Sequence, residues 1–189
     1  REERPLRVLA AARCLPFHGI GGMQAIAWDV LAGLAARGHE VTVLTTAMPS
    51  GAADAFAADG VAVVPLPGTA PARYGRAWWA ASRSYAERHL AARTDAVLSI
   101  SSAAAGLLPL KASVLHAPFV FQAHGSSWAE ARSKWQSARP VEWLKSARNV
   151  YWIANDARIY RGFDRLVLVG DTTSPSFEVV ASDKSRRGL

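Results

Sequence analysis

FHGIGGMQAIAWDVLAGLAARGHEVTVL, Phe17 to Leu44, spells out a glycine loop, a helix, a stop and a buried strand without a break. It follows a short apolar run, Leu6 to Ala12, which reads as a strand. Ile26, Val30 and Leu34, joined by Ala27 and Leu31, recur with a period near 3.6, predicting an amphipathic helix over Ala25 to Arg37. Gly38 supplies the left-handed residue that ends such a helix. Val41, Val43 and Leu44 then make Glu40 to Thr45 a central strand of a parallel sheet. Strand, glycine loop and helix in this order form a site for an anion. Amides at a helix start have no internal partner, and glycines let a bulky group come close to them. Gly21 and Gly22 are the candidate phosphate-binding residues.

Two familiar phosphate loops do not fit. A dinucleotide fingerprint needs Gly or Ala at the sixth position from Gly19, where Gln24 stands, and a carboxylate after the second strand, where Leu44-Thr45-Thr46 has none. A P-loop needs Lys and Ser/Thr after its last glycine, and Gly22 is followed by Met23. A plain flexible turn is the remaining structural alternative.

Outward from this segment, apolar runs and helical patterns alternate, as in a parallel sheet with helices on both faces. A short helix is expected near Ala52 to Ala58, then strands at Val61 to Pro65, Ala96 to Ile100, Phe119 to Ala123 and Arg165 to Val169. Helices are expected over Arg76 to Arg93, with Trp78, Tyr85 and Leu90 inward, from Ser101-Ser102 to about Leu108, and over Val141 to Tyr160. The chain after Ser174 reads as a short helix running into a basic tail. The 189 residues therefore predict one α/β domain, Rossmann-like, with a mostly parallel sheet flanked by helices.

The formal charge of +7 favours anionic partners such as sugar phosphates or phospholipid head groups. The basic residues are scattered and carry no RNA-type aromatic signature, so nucleic acid is not expected as a partner. A lone cysteine, Cys14, and five histidines without an i,i+4 pair give no metal site. No signal peptide or membrane span is expected, which suits a cytoplasmic protein. Between Glu130 and Arg161, seven basic residues face three acids, and Trp128, Trp135, Trp143 and Trp152 fall in or beside the segment. That mixture suits either a membrane interface or a stacked sugar, against the alternative of an ordinary packed helix.

At the carboxyl ends of the predicted strands, where open α/β sheets collect ligands, stand His18 after the first and His124 after the fifth. Arg73, Arg76 and the Trp78-Trp79 pair make a second patch. No G-x-S-x-G nucleophile elbow occurs.

Together these segments resemble the amino-terminal half of a GT-B glycosyltransferase of the family 4 kind. The likeness rests on Gly21 to Gln24 opening the first helix, on Leu34 to Leu44, on Phe119 to Gly125 and on Asp164 to Val169. It implies a retaining enzyme with a nucleotide-sugar donor, no obligatory metal or other cofactor, and a glycan or lipid-linked acceptor. It further implies donor phosphate at Gly21 and Gly22 and a catalytic His124 near the transferring sugar. The acceptor would lie among His18, Met23, Gln24, Arg73 and Trp128. Such an enzyme would work in the cytoplasm, where the charge and tryptophans suit the inner face of the plasma membrane.

The likeness has two departures. Val169 is followed by Gly170-Asp171-Thr172 where the family often places a serine. The second, donor-holding domain and its paired glutamates are missing, so the chain is expected to be the acceptor-side half and inactive alone. The first domain of a nucleotide-sugar 2-epimerase and a non-catalytic GT-B-like binding module are the alternatives.

Overall fold

The computed structural model describes residues 4–90, 93–123 and 158–168. Strand β1 (Arg7–Ala12) leads through a 3-10 turn (Pro16–His18) into α1 (Gly22–Ala36) and then β2 (Glu40–Thr46). After these come β3 (Phe56–Ala58), β4 (Val61–Leu66), α2 (Arg76–His89) and β5 (Ala96–Ile100). A long 3-10 helix (Ser101–Leu110) and a wider turn (Lys111–Leu115) precede β6 (Phe119–Ala123), and β7 (Arg165–Leu168) follows a helical turn at 158–162. The sheet order is β3-β4-β2-β1-β5-β6-β7, parallel except for the β3–β4 pair.

The order reverses between β1 and β5. The chain leaving β1 covers one face through α1, and the chain leaving β5 covers the other. Ala27 and Leu31 of α1 pack with Val8, Ala10, Val41 and Val43 on the first face. Trp78 and Ala86 of α2 pack with Leu107, Phe119 and Phe121 on the second. Trp78 Nε1 donates to the Ala103 carbonyl at 3.0 Å, satisfying the one polar group of a buried ring.

Helix α1 stops as its sequence predicts. Gly38 takes φ 87°, its N–H reaches the Ala35 carbonyl, and the His39 N–H reaches that of Leu34, the paired bonds of a Schellman motif. Its inward stripe is narrower than the periodicity suggests, because Ile26 and Val30 are exposed. They lie one residue, or 100°, round from Ala27 and Leu31, and the small Ala27 seats that stripe against the sheet.

Other boundaries differ as well. The helix expected at Ala52 to Ala58 is instead β3, paired antiparallel to β4 with Ala58 opposite Val61. Asp59-Gly60 closes the hairpin with both residues at positive φ, 49° and 76°, the geometry that a two-residue turn needs. After β5 the hydroxyl that caps the next turn belongs to Ser99, which accepts from the Ala104 N–H at 2.9 Å, and not to Ser101 or Ser102. Helix α2 ends at His89, four residues short of Arg93. The helix expected at Val141 to Tyr160 lies mostly outside the described residues, and the segment after Ser174 wholly so.

Candidate active site

The crevice at the carboxyl end of the strands, at the point of reversal, is where an open α/β sheet takes its ligand. There the loop after β1 makes its turn at Gly19, whose φ of 157° and ψ of 160° only glycine adopts readily. Gly21 precedes α1 as its extended N-cap, and Gly22 is the first helical residue. No side chain caps the helix, and its first turn contains no acid. A side chain at Gly22 would meet nothing within 4 Å, so the approach to these amides is open among the described residues. At Gly21 a β-carbon would strike the Gln24 amide.

Gln24 folds back over the loop and its Nε2 donates to Cys14 Sγ at 3.2 Å, so the buried thiol serves as a loop anchor. Met23 lies across the point of reversal from Ser101, whose Oγ approaches its sulfur at 4.0 Å. Ser101 itself holds a positive φ of 52°, a strained state for a residue with a side chain. The loop is propped from the other side by an aromatic trio. Phe17 meets Trp28 at 5.0 Å and Phe56 at 5.1 Å, both edge to face, and Trp28 Nε1 donates to the hairpin residue Asp59 at 2.8 Å. The small strand β3 thus helps to position the glycine loop.

Thr46, the last residue of β2, ties together the loops after β1 and β4. Its hydroxyl donates to the Arg13 carbonyl at 2.8 Å, accepts from the Ala72 N–H at 2.9 Å and lies 3.2 Å from His18 Nε2. His18 Nδ1 accepts from the Leu15 N–H at 3.2 Å, which leaves the proton of a neutral ring on Nε2, 3.1 Å from the Thr46 carbonyl. Both ring nitrogens are therefore engaged inside the loop. The proline-rich loop after β4 is ordered by Thr69, whose hydroxyl donates to the Leu66 carbonyl and accepts from the Ala47 N–H.

Arg73 is exposed on that loop. Next to it, Tyr74 stacks on Trp79 with centroids 5.2 Å apart, and the Arg13 guanidinium lies over the tyrosine ring, 4.8 Å from its centre. Burial pushes the Tyr74 phenol up to about 12 against the opposite pull of Arg13, so the ring stays neutral. Arg13, Thr46, Tyr74 and Ser101 were not among the site residues expected from the sequence. A charge directly after the apolar run Leu6 to Ala12 was the one available signal. His124 and Trp128, the other two candidates, lie outside the described residues. Gln122, two residues before His124, is buried, and its Oε1 has no partner among the described residues.

No group of metal-ligating side chains occurs among the described residues, and no helix among them is long and apolar enough to cross a membrane.

A mostly parallel sheet, a switch point and a glycine-led helix at its carboxyl edge define a Rossmann-like α/β domain. The chain belongs to the glycosyl transferase 4-like domain family, which matches residues 21–174. By fold it is similar to sucrose-phosphate synthase from Thermosynechococcus elongatus, with a TM-score of 0.64 and 10% identity. That match covers 91% of this chain and 44% of the synthase, so the chain spans less than half of the length of that structure. No curated protein matches it in sequence.

Proposed function

We propose that this chain is the amino-terminal, acceptor-side domain of a retaining glycosyltransferase that takes a hexose from a nucleotide-sugar donor. The observation that carries the reading is the open start of α1. Gly22 is exposed, no side chain among the described residues caps the helix, and its first turn at the crevice edge contains no acid. A diphosphate placed there gains hydrogen bonds and the positive end of the helix dipole together. Developing charge on a departing diphosphate would be held by the same fixed donors, which need no rearrangement during the reaction. Support for a glycan or lipid-linked acceptor comes from the loop itself, where Phe17 and the fully exposed Ile20 offer apolar surface next to polar groups.

A second domain would close the crevice and hold the base and sugar of the donor, which makes the isolated chain inactive in transfer. The test compares this chain with the same chain extended by its downstream coding sequence, each supplied with a panel of labelled nucleotide sugars. The longer protein transfers sugar with retention at the anomeric carbon, read by NMR of the product, and the 189-residue chain does not. Turnover by the short chain, or an inverted product, overturns the proposal. In the active form Gly22→Glu fills the anion position with a carboxylate. It leaves the fold intact, since the position is open, and abolishes donor binding.

A further inference from the structure

Arg13 follows the carboxyl end of β1 as a half-buried cation. Its Nε is buried and makes no hydrogen bond, and no carboxylate pairs with it among the described residues. The Tyr74 ring, its centre 4.8 Å from the guanidinium carbon, attracts the charge without satisfying that Nε–H. A buried Nε–H without a hydrogen bond costs stability, and Arg is the side chain whose geometry best matches a planar or tetrahedral oxyanion.

The surroundings favour the same chemistry. Residues 13–21 and 67–75, the loops after β1 and β4, contain Arg13, His18 and Arg73 and no acid, and Arg76 follows at the start of α2. Position separates this corner from the start of α1. Ala12 packs on the α1 face, so Arg13, one residue on, turns to the opposite face, where Tyr74 packs against the cluster under α2.

We propose that Arg13 binds an oxyanion, a phosphate or carboxylate carried by the acceptor, at a position distinct from the donor diphosphate. The inference rests on the glycosyltransferase reading for the word acceptor, and its test separates the two. The Nε–H signal of Arg13 is followed by NMR in the complete 189-residue chain. The additions are inorganic phosphate, glucose 6-phosphate, acetate, a nucleoside diphosphate, and phosphatidylcholine vesicles with or without phosphatidylglycerol. A saturable shift with phosphate, glucose 6-phosphate or acetate supports a soluble anionic acceptor. A shift with the anionic vesicles alone supports a lipid head group.

Arg13→Gln weakens the binding by about tenfold or more, the loss expected for charge-assisted hydrogen bonds, and Arg13→Lys weakens it less. Arg37→Gln, at the far end of α1, leaves it unchanged. An Arg13 signal that no anion moves, or equal affinity in Arg13→Gln, refutes the site. A shift with the nucleoside diphosphate alone refutes its assignment to the acceptor. Loss of diphosphate binding at α1 with the Arg13 response intact would instead count against the donor reading only.

Discussion

Replacing Thr46 by valine removes one hydroxyl and almost no volume, and it tests whether the crevice loops are held by that single atom. In the folded protein the hydroxyl satisfies the Arg13 carbonyl and the Ala72 N–H, at 2.8 and 2.9 Å, on a side chain with no exposed surface. Valine leaves both groups without that partner, at about 1–3 kcal/mol for each buried group left unpaired. His18 keeps the Thr46 backbone carbonyl at 3.1 Å and adds little to the loss. Partial access to water brings the expected total to about 2–4 kcal/mol, or roughly 4–16 °C in Tm for a domain of this size. Thr46→Ser retains the hydroxyl and loses one methyl group, about 1 kcal/mol. Equilibrium urea unfolding of the three proteins, followed by tryptophan fluorescence, measures the difference. A Thr46→Val protein within about 0.5 kcal/mol of the parent, or a serine variant less stable than the valine one, would refute the reasoning.

Gly106→Ala places a β-carbon 3.0 Å from the Trp79 Cα and 3.1 Å from its carbonyl oxygen. Backbone atoms cannot yield as a side-chain tip does, so about 1–3 kcal/mol is lost and the Trp79–Tyr74 stack loosens, both visible in thermal unfolding and near-UV circular dichroism. An unchanged Tm would exclude that contact. Asp95 accepts from the side chain and the backbone N–H of Arg7, and these bonds hold its carboxyl well below the usual carboxylate range. A carboxylate lowered in the folded state stabilises it above the unfolded pKa of about 4, and that contribution is lost as pH falls towards the folded value. The stability gap between the parent and Asp95→Asn is therefore full at pH 7 and shrinks below about pH 4; a gap independent of pH would show that the ion pair is not its source.

The family-like features of this chain are local, and the sequence carried them. Gly21-Gly22 before a 3.6-period helix, Gly38 after it and the apolar runs at 40–45, 61–65, 96–100 and 119–123 each act through neighbouring backbone, so a linear reading finds them. The alternating strands and helices also announced the parallel sheet. The hairpin at Asp59-Gly60 was legible in principle, but three residues are too few for a periodic signal to compete with a helical one. Which stripe of α1 faces inward was decided by contact with the sheet, since Ile26–Val30 and Ala27–Leu31 satisfy the same period. The crevice network lay beyond the sequence altogether. Thr46, His18, Ala72, Arg13 and Tyr74 come from the end of one strand and two separate loops, and only the closing of β1 between β2 and β5, with β4 beyond β2, brings them within hydrogen-bonding and ring-stacking distance. Periodicity records what a residue does within its own element, whereas a binding site depends on which elements the sheet makes neighbours.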